Sequence, residues 1–452
     1  MACDVTLHWP AGLPRDAADE LLVVIGDVEI GPGGPTDDFP QSEFLGDLLL
    51  RYCEPPFAEL PVTVVFDGDT FDLLKTPLED GSFPIHVTEA IALAKLERVI
   101  AAHGPFFERL RRFLAHDGAP RKLSFVVGNH DMELFFEGVQ ARVREALGED
   151  AAGSEAVVFP GLRHRQGRVH VEHGMQHDPL FAVDAERPFI EHPFPEPSTD
   201  DSAAPEGDDR RILNLPWGTV ALLEVALQFL PELHQLDRLK PKKAVLAALP
   251  EVRDLLVAAY WRYWTRDFWQ SYWTQRDPLR RVSWTMLQEV AWRFGTGDPD
   301  VSMQDCRRLL HRRHDDTTLI VLGHEHEPAW WSSAERRVLR TGCFRNEYAL
   351  DLEHGEHRLL SKVYAEVYLR DGRPVRSHLV EVDAPPPAQP AVPTRLEEVL
   401  EHIPRLRASE GGDAVVQRRA RKVQERAEAD EPVNRGLPGF VETLRNVLGR
   451  DL

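Results

Sequence analysis

The chain has 452 residues, of which 42% are hydrophobic and 28% charged, and its 53 basic against 74 acidic side chains leave a formal net charge of −21. That length can bury a large core, and the acidic balance opposes broad capture of nucleic acid or an anionic membrane surface, either of which needs a basic face. Four scattered cysteines, Cys3, Cys53, Cys306 and Cys343, make no CxxC pair, so neither a zinc ribbon nor a disulfide framework is expected and a reducing, cytoplasmic setting fits best.

The opening "MACDVTLHWPAGLPRD" has neither the basic start nor the apolar run of a signal peptide. The first predicted strand is "LLVVIGD" (21–27), followed by "VTVVFDGD" (62–69). A helical stretch, "VTEAIALAKLERVIAAHGPFFERLRRFLAHD", leads to a third strand, "KLSFVVGNHD" (122–131), and a fourth follows at "RVHVEHG" (168–174). Strands alternating with helices favour an α/β arrangement with covered sheet faces.

Residues 179–315 then interrupt the pattern and are expected to form an inserted helical cap. The insertion contains an acidic, Pro- and Ser-rich loop (194–209) and Leu- and Ala-rich turns from 217 to about 295. Its longest apolar run, 217–230, is too short to span a bilayer and carries Glu224, which leaves only peripheral membrane contact open. Trp261, Trp264, Phe268 and Tyr272 share one helical face and would pack the cap's own core or wall a lipid or aromatic substrate group.

The fifth strand, "TTLIVLGHEH" (317–326), resumes the core, which becomes all-β after 336 with a hairpin signal at Asp371-Gly372. The expected domains are a core of 15–178 and 316–382, the cap, a Pro-rich linker (383–393) and a charged helical tail (394–452). Thr394 and Glu397 stand at capping-box spacing at the start of that tail, which would pack on the body or join a second subunit as a homo-oligomer.

Each of the five strands ends in groups able to bind a cation. The set comprises Asp27 and Glu29, Asp69 and Asp72, Asn129, His130 and Asp131, His173, and His324 and His326. The carboxyl ends of strands in open α/β sheets are where ligands bind, and carboxylates, an amide oxygen and imidazoles without thiolate suit divalent Mn, Fe or Zn. Asp67, Asp69 and Asp72 close a buried strand, where an unpaired carboxylate is costly, so positive charge should meet them.

In this order "GDVE", "GDTFD", "GNHD", "EHG" and "GHEH" resemble the motifs of the calcineurin-like metallophosphoesterases, DxH, GDxxD, GNH(D/E), a lone His and GHxH. The likeness covers about residues 20–345 apart from the cap, and "RTGCF" (340–344) resembles the strand after GHxH. The resemblance implies a four-layer α/β/β/α sandwich with two divalent metal ions, Mn first with Fe, Zn and Mg as alternatives, and hydrolysis of phosphomonoester, phosphodiester or pyrophosphate bonds by in-line attack of a hydroxide shared by the ions. Carried over by position, Asp69 would bridge the ions, Asp27 and His326 would complete one, and Asn129, His173 and His324 would hold the other. His130 would protonate the leaving group, with Asp131 orienting it. Glu29 stands where the family has histidine and would either ligate, favouring Mn, Fe or Mg, or swing away.

Asp72 is expected to accept a hydrogen bond rather than to ligate, and His177 and Asp178 to support the site or touch substrate. The implied substrate is a phosphorylated small molecule or a lipid-linked one. A sugar-lipid pyrophosphatase using the aromatic cap, and a non-catalytic scaffold on a degenerate phosphoesterase fold, remain the alternatives.

Overall fold

Alternation at period two builds the central sheet. In β1 (Glu20–Ile25) Leu21, Val23 and Ile25 face one way, Leu22 and Val24 the other, and all five are fully buried. The computed structural model describes residues 5–149, 155–193, 210–227, 234, 237–242, 262–275, 277–296, 306–311, 316–351 and 356–387.

From β1 the chain passes through α1 (Ser42–Leu50), β2 (Val62–Asp67), α2 (Glu89–Ala102), α3 (Gly104–Leu114), β3 (Arg121–Val126), α4 (Glu137–Ala146) and β4 (Val157–Val158). The strands β1 to β4 lie side by side and parallel. Their Leu21, Val23, Ile25, Val64 and Phe66 face pools with Leu45, Leu96, Phe106, Leu110 and Val139 of the helices in one apolar core. The Thr88 side chain accepts from the Ile91 amide and so starts α2.

A second sheet begins with β5 (His164–Gln166) and β6 (Val169–Glu172). Next come a two-stranded ribbon of β7 (Phe189–Glu191) and β8 (Arg211–Leu213), then α5 (Trp217–Ala221), β9 (Leu239–Lys240), α6 (Trp269–Gln275) and α7 (Trp284–Thr296). The second sheet is completed by β10 (Leu319–Leu322), β11 (Ala329–Ser332) and β12 (Arg337–Arg340), in the order β11-β12-β10-β6-β5. Within it β10 runs parallel to β6 and to β12.

β13 (Tyr348–Asp351) joins β9 and β14 (Glu356–Leu359) in a small third sheet. The hairpin of β15 (Lys362–Arg370) and β16 (Arg373–Val382) closes the first sheet, with β15 antiparallel to β1. Its turn is at Asp371 and Gly372, with φ of 49° and 68°. The chain is therefore mixed α/β, with several mixed sheets.

The two large sheets pack face to face. Leu22, Val24, Val65, Val126 and Val367 of the first interlock with Val169, Val171, Leu319, Val321 and Leu339 of the second. This brings the carboxyl ends of β1, β2 and β3 to the same rim as those of β6 and β10. The Gly323 amide donates to the His173 carbonyl, and the His324 amide to Asp27 Oδ2, across that rim.

The segment expected to be a helical cap also contains strand. Ile212 and Leu213 of β8 are buried in the core shared with the helices, and the Leu213 amide donates to the Val87 carbonyl, so the ribbon is held by the core rather than standing apart. The acidic loop, Trp261 and the helical tail lie outside the described residues, as do the side chains of Trp264, Phe268 and Tyr272. Among the described residues no helix is long and apolar enough to cross a membrane.

Phe125 stacks on Phe66, Phe71 and Phe159 at centroid distances of 4.9, 5.9 and 5.4 Å beneath the first sheet. Phe125→Ala should cost about 3–5 kcal/mol of stability, read as a lower urea midpoint with an unchanged m-value.

Candidate metal centre

The loops after β1 and β2 continue to pair once the strands have ended. The Glu29 amide donates to the Asp69 carbonyl, and Ile30 bridges Phe71 in parallel. To turn their side chains inward from these loops, Asp27, Glu29 and Asp69 take φ of 52°, 51° and 51°, and His324 and His326 take 73° and 55°. These are five of the six non-glycine residues with positive φ among the described residues. Such a backbone is strained for any residue with a Cβ and persists where surrounding structure enforces it.

His173 is fully buried at the centre of this arrangement. Its Nδ1 donates to the Asp67 carbonyl at 2.7 Å, which leaves Nε2 aimed at Asp69 Oδ2 (3.1 Å), Asn129 Oδ1 (3.2 Å) and Asp27 Oδ1 (3.9 Å). Among the described residues the buried Asp27 Oδ1 accepts no well-formed hydrogen bond, although His326 Nε2 faces it at 3.4 Å. Three oxygen acceptors thus surround one ring nitrogen, and only positive charge satisfies them together. Burial opposes a charged imidazole, yet Asp69 and Asp27 outweigh it and raise the His173 pKa to about 10. Their field is the one a divalent cation would meet, and the donor set of two carboxylates, an amide oxygen and an imidazole suits such an ion. Among the described residues the ion pairs of Asp27 and Asp69 are with histidines alone.

The other expected residues are arranged less uniformly. His326 turns Nε2 toward Asp27 Oδ1 (3.4 Å) and Glu29 Oε1 (3.6 Å) while Nδ1 is held by Glu347 at 2.8 Å. The His324 ring lies edge-on to His173 with centroids 5.2 Å apart, and its Nε2 faces Asp178 Oδ2 at 3.3 Å. Asp178 in turn accepts from Arg293 of α7 at 2.6 Å, so it supports His324 from the insertion side. His177 turns away from these carboxylates and pairs with Glu172 at 2.7 Å.

One expectation needs correction. Asp131 does not orient His130, because its carboxylate folds back onto the amides of Gly128, Thr70 and Phe71 and locks the two loops together. Burial and the neighbouring Asp69 push its pKa up to about 7. Asp72 holds the imidazole instead, with Oδ1 2.9 Å from His130 Nδ1.

Glu29 does not swing away, but neither is it an uncompensated ligand. Lys75 Nζ stands 2.7 Å from its Oε2, and Arg345 Nη1 donates to Oε1 and Oε2 at 3.1 and 3.0 Å. These two cations overcome the burial that would otherwise raise its pKa and hold it well below the ordinary value. Around them the buried Asp38 and Arg238 and the partly exposed Asp237 extend an ionic network. Lys75, Arg345 and Glu347 are single charged residues in loops, and nothing in their spacing marks them in the sequence.

No protein-family model matches the chain, and no curated protein matches it.

Glycine is required where the loops touch. Gly68 has φ of +78°, and a Cβ on it would lie 2.5 Å from the His173 ring. Gly68→Ala should cost about 1–2 kcal/mol in backbone strain and weaken Mn(II) binding at least about tenfold, by analogy with the loss of a ligand's supporting contacts. Gly81→Ala, with φ of +83° and open space around it, should show the strain in urea unfolding with no change in Mn(II) titration.

Proposed function

We propose that the chain is a metal-dependent hydrolase of phosphoester or pyrophosphate bonds, a calcineurin-like metallophosphoesterase in a four-layer α/β/β/α sandwich capped by residues 179–315. The observation that carries this reading is the convergence of Asp27, Asp69, Asn129 and His173 on one point, with His130 beside it and fixed by Asp72. A bound divalent ion would supply Lewis acidity there, lowering the pKa of water and offsetting phosphoryl charge.

The protein's own groups would do the rest. The His130 amide donates to Asp69 Oδ1 at 2.7 Å, so the residue proposed as acid is attached to the carboxylate proposed as ligand. Burial disfavours charge on the His130 ring, but Asp69, Glu29 and Asp72 outweigh it and raise the pKa to about 9. In the metal-free protein these carboxylates favour the doubly protonated ring. With Nδ1 committed to Asp72, Nε2 is the nitrogen that would deliver a proton to the departing oxygen. In the family reading the substrate is a phosphorylated small molecule or lipid-linked phosphate, and the acidic balance of the chain argues against nucleic acid.

The test is hydrolysis of bis-p-nitrophenyl phosphate and p-nitrophenyl phosphate by chelator-stripped protein resupplied with Mn(II), Fe(II), Zn(II) or Mg(II). Turnover should be absent after stripping and return with metal. His130→Ala should lower kcat about 10²–10⁴-fold with metal content unchanged, whereas Asp69→Asn should lose both. Metal bound without turnover on any phosphoester or pyrophosphate would favour the scaffold reading.

A further inference from the structure

The described residues contain three groups of His, Cys, Asp or Glu whose donor atoms lie within 4.8 Å of one another, and they differ in what already stands among them. Among the described residues Asp27, Asp69 and His173 have no lysine or arginine ion-paired with them. The group of Glu29, Asp72 and His130 has the Lys75 ammonium in it, 2.7 Å from Glu29 Oε2 and 3.5 Å from Asp72 Oδ2. In the third, His326 Nδ1 and Glu347 Oε1 already bond to each other at 2.8 Å, and Lys240 Nζ stands 3.4 Å from the same oxygen.

The contrast bears most on the Glu29 side. An ion shared by Asp27, Glu29 and His326 would have to share Glu29 Oε1 with Arg345 Nη1, which donates to that atom at 3.1 Å. It would also sit beside an ammonium and a guanidinium, each held by a further carboxylate. Lys75 is fixed by Asp38 at 2.6 Å as well as by Glu29, and Arg345 by Asp237 at 2.7 Å. All of Glu29, Asp38, Lys75 and Arg345 are buried. Two positive side chains beside Glu29 disfavour a further cation at that carboxylate, and Asp38, Asp72 and Asp237 share their charge with it.

We infer that the chain binds one divalent ion firmly, at Asp27, Asp69, Asn129 and His173, and that Lys75 and Arg345 supply at Glu29 the positive charge a second ion would otherwise provide. This rests on the metal-dependent reading above and departs from the two-ion expectation. On this account Glu29 anchors two side-chain cations and is not a metal ligand. The positive pole on that side of the site is covalently part of the protein, so a chelator cannot remove it.

The measurement is metal content per chain by inductively coupled plasma mass spectrometry, after full-length protein is stripped, reloaded with Mn(II) and passed through a desalting column. The expected result is one Mn per chain in the wild type, one in Glu29→Gln with a Kd within threefold of wild type, and none in Asp69→Asn. Two ions in the wild type, falling to one in Glu29→Gln, would overturn the inference and leave the phosphoesterase reading standing. No ion in the wild type would overturn both. Since Glu29→Gln disturbs a buried network and could fail to fold, electron paramagnetic resonance of the loaded wild type gives a reading that needs no variant. The six-line spectrum of an isolated Mn(II) is expected, and the multiline spectrum of an exchange-coupled pair would contradict the inference.

Discussion

The structure is organised around buried negative charge that has to be answered. Asp27, Glu29, Asp67, Asp69, Asp72 and Asp131 are all nearly or fully inaccessible to water, and they crowd one rim of two facing sheets. Each finds a different answer. Backbone amides meet Asp131, an imidazole meets Asp72, and an ammonium with a guanidinium meets Glu29. Burial pushes the Asp67 carboxyl well above its usual range, and neither of its oxygens has a partner. Asp27 and Asp69 face each other across His173 with only histidines ion-paired to them among the described residues, a field that suits a cation.

Much of the scaffold was legible because it follows simple periodicities. Five apolar runs, each closing in glycine and polar residues, correspond to β1, β2, β3, β6 and β10, and the helical stretch after β2 became α2 and α3. Parallel pairing within each sheet aligns the carboxyl ends, so polar residues scattered over 300 positions arrive at one rim. The direction in which a side chain leaves a loop was not legible. Asp131 follows His130 in sequence, yet the tight turn after β3 sends its carboxylate back to Gly128, while Asp72 from another loop reaches the ring. Lys75 and Arg345 carry no pattern either, since a single charge in a loop looks the same whether it meets solvent or a buried glutamate.

Residues between 179 and 315 also reach the candidate centre. Their β9 pairs with β13, and the adjoining Asp237 and Arg238 reach into the ionic network behind Glu29. On the other side Arg293 of α7 holds Asp178, which faces His324. Two separate stretches of the insertion therefore end on residues that touch the candidate centre, one on each flank.

The most direct test of the central claim is an anomalous difference map at the manganese edge from crystals of the full chain grown with Mn(II). The account predicts a peak within coordination distance of Asp69, Asn129 and His173, with His173 Nδ1 still donating to the Asp67 carbonyl. A map with no peak at that point, or with its density only among surface carboxylates, would contradict it.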